Sequence, residues 1–324
     1  MEPTKRVDIL GIDISKKSFN VALLRDDKYK HKKFSNDLEG FNQLSRWLDR
    51  YGVTDLHGCM ESTSVYWEAL AEYLYDKGYK VSVVNPARIK GYAQGELIRS
   101  KTDKVDASVI ARFCRAMDPG AWVPEPKEIR ELRSLVRRLE ALDKMRQQEV
   151  NRLDVSAEVV KKQIRDHIEY LSEQIETVKE KIKEYINNDP QLRDKQELLD
   201  SIPGVGEETI SQVLSHFGYV EKFSSAKRLS SYLGISPREY QSGSSVRGRS
   251  KMSKIGRSSL RKTFFMPALA SLRFNPVIRE MKERMEKAGK PKMVIVGAAM
   301  RKLVHLIYGV LKTKKPFDPN YSTK

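Results

Sequence analysis

The chain has 324 residues, 40% hydrophobic and 32% charged, with 60 Lys and Arg against 43 Asp and Glu and a formal net charge of +17. This length allows two or three domains with cores of their own, and the balance reads as soluble and globular. The longest unbroken apolar run, near Met293 to Met300, is far shorter than the roughly 18 residues of a membrane span, and MEPTKRVDILGIDIS lacks the features of a signal peptide.

A cytoplasmic, nucleoid-associated location without a membrane is therefore expected, and the excess of positive charge points to a polyanion, nucleic acid first. Cys59 and Cys114 sit in apolar surroundings without CxxC spacing, which predicts small buried hydrophobes and not a redox pair or zinc site.

Residues 7 to 123 alternate strand and helix signals. VDILGIDIS and SFNVALLRD read as two strands, KHKKFSN as a third, edge-like strand, and LEGFNQLSRWLDRYG as a helix. LHGCMES is a short buried strand, SVYWEALAEYLYDKG a helix, YKVSVVNP a strand and DKVDASVIARFCRAM a helix. The order β-β-β-α-β-α-β-α predicts an α/β domain over 1–123 with one mixed sheet covered by helices.

From Pro124 the pattern changes. PEPKEIRELRSLVRRLEAL begins a charged helix, and Ile164, Ile168, Leu171, Ile175, Val178, Ile182 and Ile186 then recur at heptad-like spacing. A coiled-coil arm over 124–190 is expected, with a helical hairpin packed on its own protein as the plainer reading. Residues 191–324 read as a mainly α-helical domain. In ELLDSIPGVGEETISQVLSHFG, Pro203 stops one helix and Gly204 and Gly206 permit a tight turn into the next, as in a helix-hairpin-helix element whose amides hold a DNA phosphate.

Four carboxylates stand out. Asp13 lies within the apolar first strand, Glu61 ends a buried strand, and Asp103 and Asp106 open a helix at i and i+3, on one face of its first turn. Singly, each has an ordinary role as helix cap, dipole partner or strand-end charge. Jointly they are costly unless a cation neutralises them. An all-oxygen set suits Mg²⁺, and two such ions about 4 Å apart support phosphoryl transfer.

The stretch QSGSSVRGRSKMSK, residues 241 to 254, reads alone as a flexible loop, a phosphate cradle or the seat of a nucleophile. From Ser224 to Lys262 there are ten Lys and Arg and one acid, Glu239, so the segment is a nucleic-acid surface or a strongly repulsive loop. Arg247, Arg249, Lys251, Lys254 and Arg257 are the candidate phosphate partners, Arg being the better bidentate group.

The motifs GIDIS, MEST, KTDKVDA, IPGVG, SGSSVRG and MSKIG, in this order and over essentially the whole chain, closely resemble those of the DEDD-motif insertion-sequence transposases, the bridge-RNA-guided serine recombinases. The resemblance implies an RNase H-like, RuvC-like fold for the first domain and a transposase domain at the C-terminus. It implies that Asp13, Glu61, Asp103 and Asp106 are the metal-binding D-E-D-D set and that Ser242 is the nucleophile. It also implies a structured guide RNA pairing with donor and target DNA, and dimers or tetramers in which carboxylates and serine come from different subunits. After Glu61 the chain has S-T-S-V-Y where the family more usually has T-G-x-Y. On the residues alone, a serine recombinase, a metal-dependent nuclease of the junction-resolving kind and a non-catalytic scaffold all stay open.

Overall fold

The computed structural model describes residues 7–97, 102–238, 241–242, 246–247, 251–256 and 258–320. The chain forms two compact units, Met1–Glu125 and Pro126–Lys324.

The first unit holds one five-stranded sheet. Strands β1 (Asp8–Ile14), β2 (Ser18–Arg25) and β3 (Lys28–Ser35) form an antiparallel meander, and β4 (Leu56–Glu61) and β5 (Lys80–Val84) continue it in parallel from β1, giving the order β3-β2-β1-β4-β5. Alternation along the strands feeds two cores. Leu10, Ile12, Phe19, Val21, Leu23 and Met60 face α1 (Leu38–Arg50) and α2 (Glu68–Asp76), while Cys59, Ala22 and Leu24 face α4 (Asp103–Met117). This is the expected mixed α/β sheet flanked by helices, with the topology of an RNase H-like domain.

One helix was not expected: α3 (Pro86–Gly95). Asn85 caps it, accepting from the Ala87 amide at 2.8 Å, and Pro86 starts it. Its two glycines and single buried residue, Ile89, leave little apolar periodicity to read. Cys59 and Cys114 are both free and buried, as expected. The neighbouring Cys59 thiol and burial push the Cys114 thiol up, away from nucleophilic use.

The second unit is helical. Two long helices, α5 (Lys127–Val155) and α6 (Glu158–Asn188), are joined by a two-residue link. Glu131 accepts from the Tyr185 hydroxyl at 2.7 Å and Glu149 lies 3.6 Å from His167, so the pair runs antiparallel. The α6 seam is buried at Ile164, Leu171, Ile175, Val178, Ile182 and Ile186, whereas Ile168 is only half-buried. From Leu171 on, that seam meets Ile129, Leu132, Val136, Leu139 and Leu142 of α5 in the same core as the C-terminal helices. The hairpin base is tied to α8 (Glu207–Phe217) by Arg133 to the Ser215 carbonyl and Gln212 to Glu140.

Helices α7 (Pro190–Asp200), α9 (Ala226–Tyr232), α10 (Ser258–Thr263), α11 (Phe265–Phe274), α12 (Pro276–Lys287) and α13 (Lys292–Thr313) complete the unit. By length and composition α13 is long and apolar enough to cross a membrane, which the run Met293 to Met300 alone did not indicate. Half of its apolar window is buried, and Ile295, Ala299, Leu303, Val304 and Ile307 carry that burial.

Candidate functional site

The approach of α4 to the sheet sets the geometry of the carboxylates. A Cβ on Gly11 would stand 2.1 Å from the Ala107 carbonyl oxygen and 2.4 Å from the Ala111 nitrogen, so only glycine lets the helix lie this close to β1. Asp13 is two residues beyond Gly11 and therefore faces the same side. Gly11 is paired with Cys59 in the parallel β1–β4 ladder, and Glu61 follows Cys59 on its face. Asp13 and Glu61 thus share the α4 side of the sheet, near the carboxyl ends of two parallel neighbours, where open α/β sheets place their ligands.

Helix α4 begins at this end. Thr102 is its N-cap, accepting from the Val105 amide at 3.3 Å, so Asp103 is released from the capping role that its position allowed. Asn20 of β2, the cross-strand partner of Asp13, donates from Nδ2 to Asp103 Oδ2 at 3.2 Å. Asp103 is exposed and Asp106 half-buried, one turn on and next to Ala107.

The segment after Glu61 shapes its surroundings. Thr63 donates from Oγ1 to Glu61 Oε1 at 2.9 Å, and Trp67 donates from its indole to the Ser64 carbonyl at 3.1 Å. Ser64, at φ +59, occupies the left-handed region that favours glycine. Asn36 ties this segment to the β1–β2 turn by donating to the carbonyls of Ser15 and Tyr66.

Asp13 and Glu61 therefore lie on the α4 side of the sheet with Asp103 joined to it through Asn20, and Asp106 belongs to the same first turn of α4. Among the described residues, no group of three or more His, Cys, Asp or Glu converges tightly enough to hold a metal ion as it stands. The donor chemistry, carboxylate oxygen throughout, fits a hard divalent cation.

In the second unit, the described residues between 237 and 252 form short paired strands. Strand β6 (Pro237–Arg238) pairs with β9 (Lys251–Met252), and inside it β7 (Gln241–Ser242) pairs with β8 (Val246–Arg247). The backbone of Ser242 lies opposite Val246 in this nested hairpin. Ser244, Ser245, Arg249 and Arg257 lie outside the described residues. Lys251 is exposed, and Lys254 anchors the hairpin base, its amide donating to the Gly234 carbonyl at 3.0 Å and its carbonyl accepting from Arg261.

The IPGVG turn is docked internally at its start. Gly204, at φ +97, packs so closely on α11 that a Cβ would lie 2.2 Å from the Ser271 hydroxyl, and Ser271 and Asn275 both donate to the Pro203 carbonyl. Gly206 is open, but Glu207 and Glu208 follow it in the first turn of α8.

Comparison with known proteins bears on all of these elements. Residues 10–156 match the IS110-type DEDD model described as a transposase, and residues 196–293 match the model described as the transposase IS116/IS110/IS902 family. Across 95% of its length the chain is 35% identical to the pilin gene-inverting protein of Moraxella bovis, covering 97% of that relative. The pilin gene-inverting protein of Moraxella lacunata matches to the same extent. The chain belongs to the IS110-type transposase family. A shorter match, 28% identical over 36% of the chain and 28% of the relative, is to an uncharacterized insertion element IS110 protein of Streptomyces coelicolor.

As an IS110-type transposase, the protein is a DNA transposase or recombinase, and it acts on DNA. Membership of the DEDD group also implies dependence on a divalent metal. Asn20, which binds Asp103, was not picked out from the sequence. The signal was there, since an asparagine interrupts an otherwise strand-favouring SFNVALLR.

Proposed function

We propose that this protein is an RNA-guided recombinase of an insertion sequence, which cuts and rejoins DNA strands through Ser242 and a Mg²⁺ site built from Asp13, Glu61, Asp103 and Asp106. The observation that supports the reading is that Asp13 and Glu61 share the α4 side of the sheet at neighbouring strand ends, with Asp103 of α4 bonded there to Asn20. Bound there, Mg²⁺ would neutralise phosphate charge and lower the cost of a developing alkoxide.

The chain's residues do the rest. Ser242 Oγ attacks phosphorus, losing its proton to a carboxylate of another subunit's set, and the bond from phosphorus to the leaving sugar oxygen breaks, that oxygen taking up a proton. The product is a phosphoserine link and a free hydroxyl, read as the 3′ end, and the bond energy is kept for rejoining to the exchanged strand. Arg247, Arg249, Lys251, Lys254 and Arg257 offset phosphate charge around the serine. Gly204 shapes the IPGVG turn of a helix-hairpin-helix element, and Gly206 presents its open side to the DNA backbone.

The full-length likeness to proteins named for inverting a pilin gene favours exchange between two sites over cutting alone. Sequence choice is assigned to a structured RNA encoded beside the gene. The α5–α6 hairpin is read as the arm that joins subunits into dimers and tetramers: near its tip Val155 is exposed by 85% and Val159 by 87%. A two-site plasmid incubated with the protein, Mg²⁺ and RNA transcribed from the flanking segment tests this function. Precise joints that require both RNA and Mg²⁺ support it; cleaved ends without joints favour a nuclease.

A further inference from the structure

We propose that Asn20 is a positioning residue of the carboxylate site, holding Asp103 on the sheet so that the first turn of α4 stays beside Asp13 and Glu61. The inference rests on the reading of those four groups as one metal site. Asn20 stands directly across the β1–β2 ladder from Asp13 and on the same side. Its own strand neighbours on that side, Ala22 and Leu24, pack with Ala107 and Ala111 of α4, and Asn20 itself donates to Asp103 at 3.2 Å.

An amide suits this role. A carboxylate that accepts a neutral N–H is oriented without losing its charge, and Oδ1 remains for a cation. A lysine or arginine at position 20 would orient Asp103 but cancel the charge the site needs. The next residue across the sheet, Lys33, opposes Asn20 on β3, so the neutral amide also separates that cation from Asp13. Strand propensity disfavours asparagine here, and Thr102 already caps the helix, so neither β2 nor the α4 cap accounts for the contact.

The test uses full-length protein, Mn²⁺ binding followed by electron paramagnetic resonance, and the Mg²⁺ concentration giving half-maximal strand exchange. Asn20→Leu keeps the size and suits a strand better but removes the donor. It is expected to weaken Mn²⁺ binding and raise the Mg²⁺ half-point by about tenfold or more, with a melting temperature no lower than wild type, while Asn20→Gln recovers part of the loss. In an Asp103→Asn background, Asn20→Leu should change neither readout further. Wild-type Mn²⁺ affinity and Mg²⁺ half-point in Asn20→Leu, when Asp13→Ala has lost metal, would overturn the role of Asn20 alone. Retained Mn²⁺ binding in both Asp13→Ala and Asp106→Ala would overturn the metal site and this inference with it.

Discussion

The Ala107 carbonyl oxygen of α4 stands 2.1 Å from where a Cβ on Gly11 of β1 would be. Both obstacles, Ala107 O and Ala111 N, are main-chain atoms, so no rotamer change relieves the overlap. Gly11→Ala must push α4 outward, with a cost on the order of 1–3 kcal/mol, and must carry Asp103 and Asp106 away from Asp13. Urea denaturation should show a lower midpoint and strand exchange should be lost. A wild-type midpoint would mean that the helix does not sit this close.

Ser64 supplies a prediction of opposite sign. It holds φ +59 just after Glu61, a conformation that glycine adopts without steric cost. Ser64→Gly relieves that strain but frees the unfolded chain, leaving a net gain of about 1 kcal/mol or less. Calorimetry should show a slightly higher melting temperature with exchange activity retained. A clear fall in melting temperature would show that the serine is needed for something other than the turn.

Asp37 gives a pH dependence. As N-cap of α1 it accepts from the Gly40 amide at 2.9 Å and from the Ser35 hydroxyl at 2.8 Å, and these bonds, the Gly40 amide first, hold its carboxyl below the usual range. A depressed folded pKa contributes stability that is present above the unfolded value of about 3.9 and is lost as pH falls through the folded one. Asp37→Ala should therefore be less stable than wild type at neutral pH, and the gap should close on acidification below about pH 4. Denaturation curves at both pH values check this; a gap independent of pH would assign the loss to something other than the charged cap.

The hairpin arm can be tested only in its outer part. Its base, from Ile129 to Leu142 and from Leu171 to Ile186, belongs to the core of the second unit, so deletion of the whole arm would unfold that unit. Removing residues 146–167 and rejoining the helices leaves that core in place. Circular dichroism should show a folded protein that melts cooperatively, and sedimentation should show a smaller assembly. A folded variant with an unchanged assembly would remove the arm from subunit contact.

The features most legible in the sequence were those with strong periodicity. The β2 alternation of Phe19, Val21 and Leu23, the α1 stripe and the α6 seam all read through, because burial imposes a spacing on apolar residues. Helix α3 did not, since capping by Asn85 and a start at Pro86 stabilise it with almost no apolar face. The acids Asp13, Glu61, Asp103 and Asp106 could be nominated because charges in apolar strands and at a helix start are conspicuous. That Asp13 and Glu61 share the α4 side follows from the β1–β4 register and the glycine under α4, which are tertiary facts. Asn20 was missed for the same reason, its meaning lying in a partner 83 positions away. The nested pairing around Ser242 was hidden because two-residue strands leave no periodic trace.

The most direct measurement of the central claim is a search for a covalent protein–DNA adduct. The protein, its flank-encoded RNA, Mg²⁺ and donor and target DNA are incubated, quenched in denaturant and resolved by electrophoresis. Wild type is expected to give an adduct that survives denaturation, that mass spectrometry maps to Ser242, and that vanishes together with strand exchange in Ser242→Ala. An adduct and full recombination persisting in Ser242→Ala would contradict the claim.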